Sequence, residues 1–116
     1  MTGSAMNREA TTPQELESLL VDYPAAVVWF STPDCSVCHA LRPRVEALLA
    51  EEFPRAVHIR VDAAAHPELA GQWLVTAAPT AVICLEGREH QRLSRSFGID
   101  AVRQALARPY GLLFDE

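Results

Sequence analysis

The chain has 116 residues, of which 49% are hydrophobic and 22% charged, a composition typical of one globular domain. Its formal net charge of −5 and the lack of a basic patch or stripe argue against nucleic acid as a partner. Every apolar run is far shorter than the roughly 20 residues that span a bilayer, so we expect no membrane partner either.

The amino-terminal segment is small and polar, and residues 1–11 are predicted to form a flexible tail. This segment lacks the apolar core of a secretory signal peptide, so a cytoplasmic location is expected. The Thr-Pro-Gln-Glu sequence of residues 12–15 then predicts a helix start, because Thr12 can cap the helix and Glu15 can complete a capping box.

An apolar run over residues 25–31 predicts a central strand that is covered on both faces. The helical pattern after it has apolar residues at helical spacing from Val37 to Leu49. Pro43 falls inside this pattern, past the first turn, and is expected to kink the helix.

The second half of the chain predicts three strands and two helices. The strands lie at 56–61, 80–85 and 90–96, and a turn at 86–89 joins the last two. A short helix is predicted at 67–73, between the first two of these strands. A last helix begins near Asp100 and ends at Pro109. Residues 108–116 are predicted to form a carboxy-terminal tail.

The resulting order, α-β-α-β-α-β-β-α, predicts an α/β fold. Strand–helix–strand units of this length favour right-handed parallel crossovers, and the final hairpin adds an antiparallel pair. We therefore expect a small mixed β-sheet flanked by helices on both faces, in one domain over residues 12–107.

Two of the three cysteines, Cys35 and Cys38, stand where the first predicted strand gives way to a helix. At the helix N-terminus, backbone N–H groups without intrahelical partners favour a thiolate at Cys35. Cys38 lies one turn further and can reach Cys35 to close a small disulfide. We interpret the pair as a dithiol/disulfide exchange site, in which Cys35 attacks and Cys38 resolves the mixed disulfide.

Several further features resemble the thioredoxin family over residues 12–107. Besides the strand–Cys-x-x-Cys–helix unit, they are Pro43, Phe30, Pro33, Gly87 in the hairpin turn, and Ala78-Pro79-Thr80 directly before the third strand. The resemblance implies a thioredoxin-like fold, with Pro79 as a cis-proline beside the cysteines. It also implies that the backbone of Ala78 pairs with an extended substrate peptide. Without this context, Pro79 would be an ordinary trans proline that opens an edge strand.

The function that the resemblance implies is that of a thiol–disulfide oxidoreductase, acting as a reductant in cell redox homeostasis. Its partners would be protein disulfide or dithiol substrates and a reductase or other electron donor. No bound cofactor would be needed beyond the redox-active Cys35–Cys38 disulfide, and the protein would act as a monomer.

The chain also departs from the family pattern around the cysteines. Asp34 replaces a tryptophan and should oppose thiolate formation on Cys35, whereas Ser36 and Val37 replace a Gly-Pro pair that strongly influences redox poise. Trp29 stands where the family has a buried aspartate that assists proton transfer, and His58 aligns with the lysine that partners it.

Three alternatives stay open. His39 completes a CxxCH sequence, which is the pattern of c-type haem attachment, but no axial ligand is evident. A zinc site would want four ligands, and the remaining histidines and Cys84 are scattered, so no metal is expected. His39 is then a solvated helix residue that could tune Cys38, and Cys84 is a small buried hydrophobe. Finally, the chain could be a non-catalytic binding or chaperone module that holds a client beside Pro79.

Overall fold

A computed structural model describes residues 6–114 of the chain. Within this range it has five strands and four helices: β1 (Asn7–Glu9), α1 (Pro13–Asp22), β2 (Ala25–Ser31), α2 (Ser36–Glu52), β3 (Ala56–Asp62), α3 (Pro67–Gln72), β4 (Thr80–Leu85), β5 (Arg88–Ser94) and α4 (Ile99–Phe114). None of the helices in this range is both long and apolar enough to cross a membrane.

The strands form one mixed sheet in the order β1-β3-β2-β4-β5. β1 and β2 both run parallel to β3, whereas β4 is antiparallel to β2 and β5 antiparallel to β4. Residues 25–30 of β2 are all buried, as expected for a strand in the middle of the sheet. The predicted mixed sheet is therefore confirmed.

Alternate side chains of β2 enter two separate hydrophobic clusters, one on each face of the sheet. On one face, Val27 and Trp29 pack with the buried residues of α2 and α4. On the other face, Val28 and Phe30 pack with the buried residues of α1 and α3. Helices thus cover both faces, as the sequence predicts.

Strand β1 corrects the prediction that residues 7–9 belong to a flexible tail. All three of its side chains are exposed, so no apolar pattern signals it. What holds it is parallel pairing with the edge of β3, in which Asn7 lies opposite His58 and Glu9 opposite Arg60. The next residue, Ala10, is buried, and its backbone N–H donates to Arg60 O at 3.0 Å. Residues 1–5 of the predicted tail lie outside the described residues.

Helix α4 corrects a second prediction, because it continues through Pro109 to Phe114. A proline inside a helix costs about 3 kcal/mol, through a lost hydrogen bond and a steric clash. Against this, the next residue, Tyr110, is buried, packs on Phe53 and Phe114, and accepts a 3.0 Å hydrogen bond from Arg55 N. These contacts stabilise the final turn, so the chain after Pro109 is helix and not a tail.

The hairpin between β4 and β5 is tighter than predicted. Glu86 and Gly87 alone make the turn, with φ of 53° and 81°. A two-residue turn with positive φ at both positions matches the twist of the flanking strands. β5 consequently begins at Arg88, earlier than the predicted residue 90.

Candidate active site

Cys35 is the N-cap residue of α2 and lies four residues after the end of the central strand β2 at Ser31. Its Sγ accepts a hydrogen bond from the backbone N–H of Cys38 at 3.1 Å. In the reduced protein the same N–H, together with the helix dipole, would favour a thiolate at this position.

Cys35 and Cys38 form a disulfide, with their Cα atoms 5.3 Å apart. The two sulfurs differ in access: Cys35 is half-buried, whereas Cys38 is only 2% exposed and belongs to the hydrophobic cluster under α2. An incoming disulfide can therefore approach Cys35 but not Cys38. This asymmetry supports the predicted roles of attacking and resolving cysteine.

The other residues predicted to modulate the pair surround it on the surface. Asp34, Ser36, Val37 and His39 are all exposed. The His39 imidazole Nε2 lies 2.7 Å from Pro33 O, and a protonated Nε2 donates to that carbonyl. His39 thereby connects the first turn of α2 to the loop that precedes Cys35, a contact that sequence alone did not indicate.

The loop before β4 lies against the same cluster as Cys35. The Ala78–Pro79 peptide bond is cis, and Ala78 is half-buried against this cluster. Among the described residues, neither the N–H nor the C=O of Ala78 has a hydrogen-bond partner. An unpaired donor and acceptor on a half-exposed segment can pair with an added extended chain.

A groove of about 310 Å³ runs beside this loop. The loop residues Val75 to Ala78 form part of its wall, together with Thr32 from the chain just before the cysteines. No charged residue lines the groove, and most of its wall consists of alanine, glycine, proline and threonine: Thr32, Ala63, Ala64, Pro67, Ala70, Gly71, Val75, Thr76, Ala77 and Ala78. The arrangement suits an uncharged extended segment.

A second, polar cavity of about 190 Å³ has Cys38 in its wall. Its wall includes Arg42 from α2, Arg60 and Asp62 from β3, and Glu9 from β1. The sequence did not predict this cavity, because Glu9 reaches it only through the pairing of β1 with β3. It places charged side chains and room for water next to the resolving cysteine.

Trp29 and His58 are both buried on the α2 face of the sheet, with ring centroids 6.2 Å apart. Neither the indole Nε1 nor either imidazole nitrogen has a hydrogen-bond partner among the described residues. Burial, and after it the charges of Arg42 and Arg60, lower the pKa of His58 to about 4, so its ring is neutral at pH 7. Neither ring of the pair therefore carries a charge at pH 7.

Cys84 lies in β4 and is 1% exposed. Burial raises the pKa of its thiol to about 12, so it is not a nucleophile near neutral pH. Its surroundings match the prediction of a small buried hydrophobe.

In the described part of the chain, no three His, Cys, Asp or Glu side chains are grouped as a metal site would require.

Comparison with known proteins agrees with this geometry. The thioredoxin family model matches residues 8–108. The chain belongs to the thioredoxin family. The thioredoxin-like protein YdfQ of Bacillus subtilis is 30% identical over 99 residues, which make up 84% of this chain and 86% of that protein.

Solved thioredoxin structures show the same fold. Fasciola hepatica thioredoxin is 32% identical and superimposes with a TM-score of 0.79, over 87% of this chain and 97% of that one. A point mutant of Halobacterium salinarum thioredoxin is 25% identical, with a TM-score of 0.80 over 90% of this chain and 89% of that one. The predicted thioredoxin-like fold is confirmed, and family and cysteine pair together identify a thiol–disulfide oxidoreductase.

Proposed function

We propose that the protein reduces disulfides in other proteins through the Cys35–Cys38 dithiol, as a reductant in cell redox homeostasis. The observation that carries this proposal is the pairing of an accessible sulfur at a helix N-cap with a buried one a single turn away. A structural disulfide has no need of an exposed partner, whereas exchange chemistry requires one.

In the first step the Cys35 thiolate attacks one sulfur of the substrate disulfide. A new S–S bond forms between Cys35 and the substrate, the substrate S–S bond breaks, and the departing thiolate takes a proton from water. In the second step Cys38 loses its proton and attacks Cys35 Sγ, which releases the second substrate sulfur as a thiolate. Two electrons pass to the substrate, and the enzyme is left with the Cys35–Cys38 disulfide.

The cycle needs a partner that returns two electrons to this disulfide. A reductase or another dithiol protein fills that role, and no bound cofactor is required. A cytoplasmic setting, in which such donors keep thiols reduced, and a monomeric state complete the proposal.

Ala78 and Pro79 position the substrate in this proposal. The unpaired backbone of Ala78 would bond to an extended substrate segment, which then runs along the uncharged groove toward the accessible Cys35. Asp34, Ser36, Val37 and His39 would set the rate and the reduction potential, since they lie within four residues of Cys35 in the sequence and their side chains are exposed.

Turnover of a protein disulfide tests the proposal. Purified protein, supplied with dithiothreitol, should accelerate the reduction of insulin disulfides, and Cys35→Ser should abolish the acceleration. Cys84→Ser is the matched control, because it removes a buried thiol outside the site, and it should retain activity. A folded wild-type protein that does not accelerate reduction would instead support a non-catalytic binding module.

A further inference from the structure

We propose that Arg92 is a positioning residue for protein substrates, because it anchors the loop that carries Ala78. This inference rests on the proposed function. Arg92 lies on β5, outside the site described above, and its guanidinium reaches across to the end of α3. There it donates to Trp73 O at 3.0 Å and to Leu74 O at 3.4 Å.

Glu89 fixes the orientation of this guanidinium. Its two carboxylate oxygens accept from Arg92 Nε at 2.7 Å and from Nη2 at 2.8 Å. Such a bidentate pair sets the plane of the guanidinium as well as its position. The donors that face Trp73 and Leu74 are therefore held in place before any substrate binds.

The carbonyls that Arg92 binds need such a partner. The last C=O groups of a helix lack intrahelical donors, and α3 ends at Gln72. Leu74 has a φ of 56°, in the left-handed region that a leucine rarely adopts, and its side chain is 78% exposed. Burial of the leucine thus does little to hold this backbone conformation, and Arg92 bonds directly to its carbonyl.

Arg92 of β5 and Arg95, the residue directly after β5, hold the two ends of the segment that follows. At one end is the Arg92 guanidinium; at the other, the backbone N–H of Arg95 donates to Pro79 O at 2.8 Å. Between Thr76 and Ala78, the one hydrogen bond to loop backbone in the described structure is from Thr80 Oγ1 to Ala77 O. The position of Ala78 therefore depends on how firmly the two ends are held.

An extended protein substrate and a small disulfide should respond differently to the loss of this anchor. Binding of the extended chain uses the Ala78 backbone and the groove wall, so a looser loop adds an ordering cost to each binding event. A small aromatic disulfide needs only access to Cys35 and has no such requirement. Arg92 should thus affect KM for proteins and leave the cysteine chemistry unchanged.

The test is Arg92→Met, which keeps an unbranched apolar stem and removes every donor. We expect KM for insulin to rise about fivefold with kcat little changed, and the rate constant for 5,5′-dithiobis(2-nitrobenzoate) to stay within about twofold of wild type. Arg88→Met is the matched control: Arg88 is exposed on the same strand and makes no side-chain hydrogen bond or ion pair among the described residues. This control variant should leave both KM for insulin and the rate constant for 5,5′-dithiobis(2-nitrobenzoate) at their wild-type values.

An unchanged KM for insulin in Arg92→Met, or an equal loss on both substrates, would overturn the inference. If the wild type reduces neither substrate, the proposed function fails first and this inference with it. If the methionine variant does not fold, Arg92→Lys takes its place, because a single ammonium cannot reproduce the bidentate pairing with Glu89 while it reaches both carbonyls. That variant should raise KM by a smaller factor and speed amide hydrogen exchange over residues 75–78; unaltered KM and exchange would refute the role of Arg92.

Discussion

Replacement of His58 by leucine should remove much of the loss of stability in acid. In the folded protein His58 is neutral, because burial and the nearby arginine charges lower its pKa from 6.5 to about 4. Between these two pH values the unfolded chain binds a proton that the folded chain does not. Stability therefore falls as pH drops from about 6.5 to about 4, by about 3 kcal/mol for this one group.

The leucine variant keeps a side chain of similar volume without the titrating ring. It also removes two buried nitrogens that have no hydrogen-bond partner among the described residues. The variant should therefore lose at most about 1 kcal/mol of stability relative to wild type at pH 7. Urea unfolding of the oxidised proteins at pH 7, 5.5 and 4 measures the effect. The stability difference between variant and wild type should shift by about 3 kcal/mol in favour of the variant.

His90→Leu is the control for this experiment, because it removes an imidazole that is exposed on β5. Its stability should follow the wild-type dependence on pH. The reasoning would be refuted if His58→Leu and wild type lost the same stability between pH 7 and pH 4.

Three further experiments test separate parts of the structure. Tyr110→Phe should lower the free energy of unfolding by about 1 kcal/mol, because it removes the hydrogen bond that the buried Tyr110 hydroxyl accepts from Arg55 N; an unchanged urea midpoint would contradict this. Cys84 should resist iodoacetamide at pH 8 in the native protein and react in urea, since burial raises the pKa of its thiol to about 12; rapid native labelling would contradict its burial. Asp34→Asn should increase the thiolate fraction of reduced Cys35 at neutral pH, measured by thiolate absorbance, and a decrease would show that Asp34 does not oppose the thiolate.

The sequence predicted the parts of the fold that depend on local pattern. The apolar run of β2, the cap at Thr12 and the cysteine at the start of α2 are each signalled within a few residues. Thr12 Oγ1 indeed accepts from Glu15 N at 3.1 Å, and Cys35 is the N-cap of α2. These local signals agree with the tertiary structure, so they could be interpreted correctly.

The parts that the sequence did not predict depend on contacts between distant segments. β1 has three exposed side chains and is held by backbone pairing to β3, which no local pattern reports. The end of α4 was misplaced because the proline signal at Pro109 is local, whereas the burial of Tyr110 against Phe53 is not.

The same reasoning applies to the site. Cys35, Cys38 and Pro79 carried recognisable motifs and were predicted. The Arg92 anchor was not, because it requires the register of β5 that places Arg92 opposite Val82, facing α3. The polar cavity beside Cys38 was missed for the related reason that β1 was missed.

Capture of the mixed disulfide is the most direct test that Cys35 attacks and Cys38 resolves. Reduced Cys38→Ser protein, mixed with insulin, should accumulate a covalent complex that dithiothreitol releases and whose bond mass spectrometry locates at Cys35. The double variant Cys35→Ser/Cys38→Ser, which retains Cys84, should form no complex. A complex that forms through Cys84, or a folded Cys38→Ser protein that forms none, would contradict the assignment of Cys35 as the nucleophile.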